Sequence, residues 1–230
     1  MLHAVVLGSA AGGGFPQWNS NAPACRRARR GDASSRVLAV IAANPIFDVL
    51  APDCVRRVVL PLDERIKLAG ASGACGLAVV AFAVPGKVPL YLETTGQDPG
   101  LSEEGDAVGL EIIETATGKS LFFIPGCAAI TDQLRRRLVS SALVFFDGTL
   151  WRDDEMIRLG VGSKTGRRMG HMSMSGEDGT IAAFRDLGVG RRIFIHINNS
   201  NPALLDDSPE RRIANAAGWE IAYDGMEVTL

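Results

Sequence analysis

The sequence has 230 residues, with 24 basic and 26 acidic side chains and a formal net charge of −2. Hydrophobic residues make up 47% and charged residues 22%, a globular balance that excludes a disordered or fibrous chain. A nearly neutral charge argues against nucleic-acid binding through phosphates, and the length favours one domain over residues 1–230.

Location is predicted from what the chain lacks. Met1–Leu7 enters an apolar strand without the basic region that opens a secretory signal. No apolar stretch is long enough to span a membrane. The chain has four cysteines, too few and too dispersed to stabilise a chain of this size through disulfide bonds: Cys25, Cys54, Cys75 and Cys127. We therefore expect a reduced, cytoplasmic protein without a membrane span.

The predicted elements form an α/β chain in which strands are grouped rather than strictly alternating with helices. Strands are predicted over Leu2–Leu7, Val58–Leu60, Leu77–Val84, Val88–Leu92, Gly109–Ile113, Ser120–Ile124, Leu143–Phe146 and Arg192–Ile195. Helices are predicted over Val37–Ala43, Ala129–Leu138, Gly179–Leu187 and from Ser208 to Gly218. Phe15–Ser35 is predicted to be irregular and Gly96–Gly105 to be a polar loop. Trp219–Leu230 is predicted to form a hairpin about Asp224–Gly225.

Reactive groups follow three of the predicted strands. Cys127 comes after Ser120–Ile124, Asp147 after Leu143–Phe146, and His196 after Arg192–Ile195. His171 lies in a predicted loop before a helix. Because sites in α/β folds form at the carboxyl ends of strands, we expect Asp147, His171 and His196 to converge. Imidazole and carboxylate together are suitable ligands for a divalent or ferrous ion.

Each residue also has an ordinary structural interpretation. His196 could be a core histidine bonded to a carbonyl group, and His171 could cap a helix. Asp147 precedes a glycine, as turn residues often do, and Cys127 could be a small buried hydrophobic residue.

The glycine-rich segment Gly8–Gly14 imitates a dinucleotide-binding fingerprint, but Pro16 interrupts any helix after it. Ser9, Gly13 and Gly14 are instead candidate substrate-binding residues, since glycines let the backbone pass close to a ligand; the alternative is close approach of a neighbouring loop. The arginines within 26–30 are interpreted as a solvated face, with docking of an acidic peptide as the alternative.

Several motifs together resemble the family of coenzyme PQQ biosynthesis protein B, a branch of the metallo-β-lactamase superfamily. The motifs are Gly8–Asn19, Asn44–Phe47, Pro85–Val88, Phe123–Cys127, Phe146–Trp151, Met169–Met172 and His196–Pro202. The resemblance implies an αββα four-layer sandwich with metals at one sheet edge. It also places His171 and His196 where late histidines of the metal site occur in the ribonuclease Z-like branch. There Cys127 takes the place of a bridging aspartate, and Asp147 occupies a conspicuous acidic position.

The resemblance implies a role in making pyrroloquinoline quinone (PQQ) from a peptide-derived glutamate–tyrosine precursor. One hypothesis is iron-dependent hydroxylation of the tyrosine ring with O₂, with Asp147, His171 and His196 as catalytic residues and metal ligands. Asn198, Asn199 and Ser200 would then orient the substrate. The alternatives are a carrier that delivers PQQ towards the periplasm and a docking scaffold without chemistry. A homodimer is compatible with each of them.

Two departures from the family pattern bear on these expectations. Family members have a Cys-x-Cys-x-x-Cys zinc site where this chain has Ser20, Ala22 and Cys25. One thiolate cannot hold zinc, so we predict no structural zinc. Family members also have a long segment that bears an Asp-His motif. In this chain Arg36 follows Ser35 directly, so that segment is missing. Either that segment is disordered in a longer protein, which we favour, or this form is truncated. In the first case residues 35 and 36 would lie too far apart for a peptide bond.

Overall fold

A computed structural model describes residues 2–6, 30–43, 45, 56–70, 73–87 and 104–230. Its strands are β1 (His3–Val5), β2 (Arg30–Ala33), β3 (Arg56–Val59), β4 (Arg65–Gly70), β5 (Gly73–Ala83), β6 (Val108–Glu114), β7 (Ser120–Ile124), β8 (Leu143–Asp147), β9 (Arg191–Ile195), β10 (Trp219–Ile221) and β11 (Glu227–Thr229). Its α-helices are α1 (Ser35–Ala42), α2 (Asp132–Leu138), α3 (Glu155–Arg158), α4 (Gly166–Met169), α5 (Thr180–Ala183) and α6 (Pro209–Ala216), and a 3₁₀ turn covers Pro202–Leu204.

Seven strands form one mixed sheet in the order β10-β9-β8-β7-β6-β5-β4. Strands β7, β8, β9 and β10 run parallel, whereas β4, β5, β6 and β7 pair antiparallel. Parallel strands covered on both faces favour continuous apolar sequence, and all five residues of β8 are buried. The expected α/β class is therefore confirmed.

Alternate residues of the central strands enter two separate cores. Val144 and Phe146 pack on the helical side with residues such as Leu134 and Phe184. Leu143 and Phe145 point to the opposite side, where β1 and β11 form a two-stranded antiparallel sheet. This division follows from the two-residue period of a strand. The sheet is consequently fixed from both sides, which holds the carboxyl ends of β7, β8 and β9 in place.

Helix ends follow the local sequence signals. Ser208 caps α6 by accepting a hydrogen bond from the Arg211 N–H at 3.0 Å, and Pro209 occupies the first turn. Thr131 caps α2 in the same way, through the Leu134 N–H. The predicted helices over 129–138 and 179–187 exist but are shorter than expected, at 132–138 and 180–183. Among the described helices, none has the combined length and apolar character needed to cross a bilayer.

The predicted hairpin over Trp219–Leu230 is wrong. A turn does form, with the Met226 N–H bonded to the Tyr223 carbonyl and Gly225 at φ +86°. However, β10 pairs parallel with β9, and β11 pairs antiparallel with β1. The strands on either side of the turn thus enter different sheets, because each finds its partner and its apolar face elsewhere in the chain.

Other differences lie in the first half of the chain. Residues 30–33, expected to be irregular, form β2, which pairs parallel with β3. Strand β4 was not predicted at all. The predicted strand over Val88–Leu92 and most of the Gly96–Gly105 loop lie outside the described residues. Ser35 and Arg36, between which a family segment is predicted to be missing, are consecutive residues of α1.

Candidate metal centre

Asp147, His171 and His196 come together at one edge of the large sheet. Each offers a ligand atom, and these atoms lie within 4.8 Å of one another. Asp147 is the last residue of β8 and lies in register with Ile195 of β9, the residue before His196. Parallel pairing therefore brings the two strand ends, and the groups they carry, to the same place.

His171 reaches this edge from a loop. Helix α4 ends at Gly170, which adopts a left-handed conformation (φ +85°). A β-carbon there would lie 3.1 Å from the backbone nitrogen of Lys87, so glycine suits both the turn and the close approach. The Met172 N–H then donates to the Cys127 carbonyl at 2.7 Å, which fastens the loop to the segment after β7.

His196 has a strained backbone. Its φ of +58° is one of three positive values at non-glycine residues among those described. Such a conformation costs free energy and persists where neighbouring contacts hold it. Those contacts are the Gly148 N–H to the Ile195 carbonyl at 2.8 Å and the Asn198 N–H to the Thr149 carbonyl at 3.1 Å. These two hydrogen bonds join the segments after β8 and β9 and so stabilise the backbone conformation of His196.

The Asp147 carboxylate is fully buried and has four donors or ring-nitrogen partners. Its Oδ2 accepts from the Cys127 N–H at 2.9 Å and lies 2.7 Å from His171 Nδ1. Its Oδ1 accepts from the Thr149 N–H at 3.0 Å and from the Thr149 hydroxyl at 2.6 Å. A buried carboxylate requires such compensation, and the local Asx turn supplies part of it.

Thr149 is a site residue that the sequence analysis did not single out. Its hydroxyl oxygen lies 2.9 Å from His196 Nδ1 and 3.1 Å from His171 Nδ1, besides its bond to Asp147. The two imidazole rings are nearly parallel, with centroids 5.4 Å apart. The signal that could have found Thr149 is a hydroxyl residue two positions after an aspartate at a buried strand end.

Burial shifts the pKa of two neighbouring groups. It lowers the pKa of His196, with a smaller contribution in the same direction from His171, while Asp147 acts in the opposite direction. A lowered pKa favours the neutral imidazole that metals bind. Burial also raises the pKa of the Cys127 thiol to about 12. Its Sγ donates to the Ala129 carbonyl at 3.1 Å, as expected for a buried, unreactive cysteine.

The predicted substrate-binding residues have different surroundings. Asn198 donates to the Ser200 hydroxyl at 2.9 Å, and Ser200 donates to the buried Glu155 at 2.5 Å. Asn199 is exposed. Ser9, Gly13 and Gly14 lie outside the described residues, as do the positions Ser20, Ala22 and Cys25 that bear on a structural zinc.

A cavity of about 460 Å³ opens beside His171. Its described lining carries one cationic side chain, Arg167, and three acidic ones, Asp153, Glu177 and Asp178. The cavity is large enough for a small-molecule or dipeptide ligand. Two imidazoles with a buried carboxylate also suit a divalent metal ion, since these are the donors that zinc, iron and similar ions take.

A mixed sheet with helices, and with a carboxylate and two imidazoles gathered at the carboxyl ends of its parallel strands, is typical of one class of protein, the metallo-β-lactamase fold. The family described as "Beta-lactamase superfamily domain" matches residues 22–197 of this chain. Within that class, the chain belongs to the family of coenzyme PQQ synthesis protein B. The protein of that name from Gluconacetobacter diazotrophicus is 45% identical, with complete coverage of both chains.

The same comparisons show that relatives are longer. The alignment with the Gluconacetobacter protein extends over 309 positions against 230 residues here, so at least 79 positions (309 minus 230) have no counterpart in this chain. The protein of the same name from Xanthomonas euvesicatoria is 54% identical over 199 residues, which cover 86% of this chain but only 64% of that protein.

A solved structure supports the fold directly. The alignment with the crystal structure of Zn²⁺-bound PqqB from Methylobacterium extorquens covers the whole of both chains, with a TM-score of 0.81 and 34% identity. Both the α/β class and the metallo-β-lactamase fold expected from the sequence are thereby confirmed.

Proposed function

We propose that this protein acts in the synthesis of PQQ as a metal-dependent enzyme, with Asp147, His171 and His196 forming the metal centre. The observation that carries the proposal is the convergence of their ligand atoms within 4.8 Å at the ends of parallel strands. Its biological role is proposed from relatives named for coenzyme PQQ synthesis. A small molecule or a Glu-Tyr-derived dipeptide would occupy the adjoining cavity.

The proposed reaction is hydroxylation of the tyrosine ring. Placing one atom of O₂ in a ring C–H bond and releasing the other as water requires two further electrons and two protons, hence a reductant. A redox-active ion such as iron, when bound, supplies the activation of O₂. Zinc, the ion bound in the Methylobacterium structure, also takes imidazole and carboxylate ligands but has no redox chemistry. We therefore propose ferrous iron as the ion used in the reaction.

The chain's own residues would bind and orient the substrate. Asn198, Asn199 and Ser200 begin two residues after His196. Glu155 holds their loop by accepting from Ser200 and from the Trp151 N–H at 2.7 Å. This anchoring favours a fixed loop geometry, which lowers the entropic cost of aligning a ring carbon with a reactive centre.

The carrier hypothesis is less well supported by the cavity. Three of the four charged side chains in its described lining are acidic. PQQ bears several carboxylates, and like charges repel. A precursor with a free amino group fits this lining better. Calorimetry separates the alternatives, because a carrier binds PQQ tightly without turning over a tyrosine peptide.

The metal centre is tested by measuring iron bound per chain after anaerobic loading. We expect His171→Ala and His196→Ala to lose most of the bound iron, because each removes an imidazole ligand. The matched control is His3→Ala, which alters the remaining histidine of the chain, on β1 beside Glu227. Iron-dependent O₂ consumption with a Glu-Tyr-containing peptide tests the reaction itself. Unchanged iron in both site variants would refute the assignment.

A further inference from the structure

The hydrogen bonds around Asp147 indicate which ring nitrogen of each histidine is available to a metal ion. Ionised carboxylates only accept hydrogen bonds. The 2.7 Å contact between Asp147 Oδ2 and His171 Nδ1 therefore requires a proton on that nitrogen. In the neutral ring, the lone pair then belongs to Nε2, which becomes the nitrogen available to a metal ion.

The same reasoning reaches His196 through Thr149. A hydroxyl has one proton, and the nearest charged acceptor for it is Asp147 Oδ1 at 2.6 Å, closer than the His196 carbonyl at 3.1 Å. Once Thr149 donates to the carboxylate, its oxygen is left with lone pairs alone. His196 Nδ1, at 2.9 Å, must then be the donor in their contact.

We propose that Thr149 is a positioning residue, whose hydroxyl connects His196 Nδ1–H to the Asp147 carboxylate and leaves Nε2 of His196 available to a metal. Asp147 orients His171 directly and His196 through Thr149. This inference rests on the proposed metal centre and specifies which atoms form it.

Outer partners that orient metal-binding histidines affect affinity strongly, typically by 10- to 100-fold. We expect Thr149→Val, which preserves shape and removes the hydroxyl, to weaken Zn²⁺ binding by about that factor. Thr149→Ser keeps the hydroxyl and should bind Zn²⁺ within a few-fold of the wild type. Affinities are measured by competition with a chromophoric chelator, and circular dichroism verifies that both variants fold.

A second measurement needs no metal. Long-range ¹H–¹⁵N NMR spectra of the metal-free protein at pH 8 distinguish protonated from unprotonated ring nitrogens, and only three histidines need assignment. The proposal requires a protonated Nδ1 in both His171 and His196. In Thr149→Val, the Nδ1 preference of His196 should be lost while that of His171 remains.

An unprotonated Nδ1 in wild-type His196, or a Thr149→Val variant with unchanged tautomer and Zn²⁺ affinity, would overturn the proposal. The proposed metal centre fails separately, if the wild-type protein binds no divalent ion. In that case the NMR result still decides whether Thr149 positions His196.

Discussion

The parallel and antiparallel halves of the large sheet differ sharply in burial. All five residues of β8 are buried, whereas five of the six residues of β4 are exposed. Helices cover the parallel half on one face and β1 with β11 cover the other. The candidate metal centre lies on this parallel half. The comparison indicates that the groups needing fixed positions are attached to the best-packed strands, and three pairs of substitutions test it.

The largest difference is expected for core side chains. Phe146 on β8 is fully buried, and its ring centroid lies 5.0 Å from that of Phe184 and 6.5 Å from that of Trp219. Replacing Phe146 with Ala should lower the free energy of unfolding by about 3–5 kcal/mol, because it leaves a cavity. Leu68→Ala on β4, where the side chain is 37% exposed, should cost less than about 1 kcal/mol. Urea denaturation measures both, and equal losses would contradict the comparison.

An intermediate difference is expected for hydrogen bonds. Asn201 is buried, and its side chain donates to the Gly148 carbonyl at 2.9 Å and accepts from the Ala203 N–H at 3.0 Å. Asn201→Ala leaves these buried groups without partners and should cost about 1–3 kcal/mol. On the antiparallel half, the Thr115 hydroxyl donates to the Gly76 carbonyl at 2.9 Å at an exposed position. Because water replaces that bond, Thr115→Ala should change stability by about 0.5 kcal/mol or less.

Thermal unfolding followed by circular dichroism checks this second pair. A Thr115→Ala effect as large as that of Asn201→Ala would mean that the antiparallel half is as tightly constrained as the half carrying the site.

The third test compares the reactivity of two cysteines and perturbs the structure least. Cys127 follows β7 and is buried, and Cys75 lies exposed on β5. Two variants each retain one cysteine, either Cys75 or Cys127. The other three cysteines, Cys25 and Cys54 among them, are replaced by Ser. At pH 8, the Cys75 thiol should react readily with a thiol reagent. Cys127, with its pKa raised to about 12, should be unreactive until the protein unfolds, since the thiolate is the reactive form.

Labelling rates with and without denaturant provide the measurement. Fast labelling of native Cys127 would show that the segment after β7 opens readily, contrary to the expected rigidity of this half.

Local patterns predicted much of the parallel half. Three short, mainly apolar runs each form a largely buried strand almost at the predicted bounds. They are Ser120–Ile124, Leu143–Phe146 and Arg192–Ile195. The cap at Ser208 was equally clear, because it depends on neighbouring residues only. The convergence of Asp147, His171 and His196 was predicted from their positions at strand ends and in a loop, and the structure brings them together.

Features that depend on distant partners were harder to predict. Strand β4 has a largely exposed sequence with no strong apolar alternation, and pairing with β5 defines it. Asp224–Gly225 signals a turn correctly, but the sequence does not say which strands will pair beyond it. Thr149 escaped notice because its importance lies in its contacts with His171 and His196, which are 22 and 47 residues away.

The pairing of β1 with β11 has a consequence for how the protein folds. His3 pairs with Thr229, and Leu2 and Val228 cover the same side of the large sheet. During synthesis, β1 would leave the ribosome long before its partner exists. Leu121, Leu143 and Phe145 would lack this cover in the meantime. Contacts between such distant segments form late and slow the folding reaction, so completion of this second core should be the last step and the one most prone to aggregation.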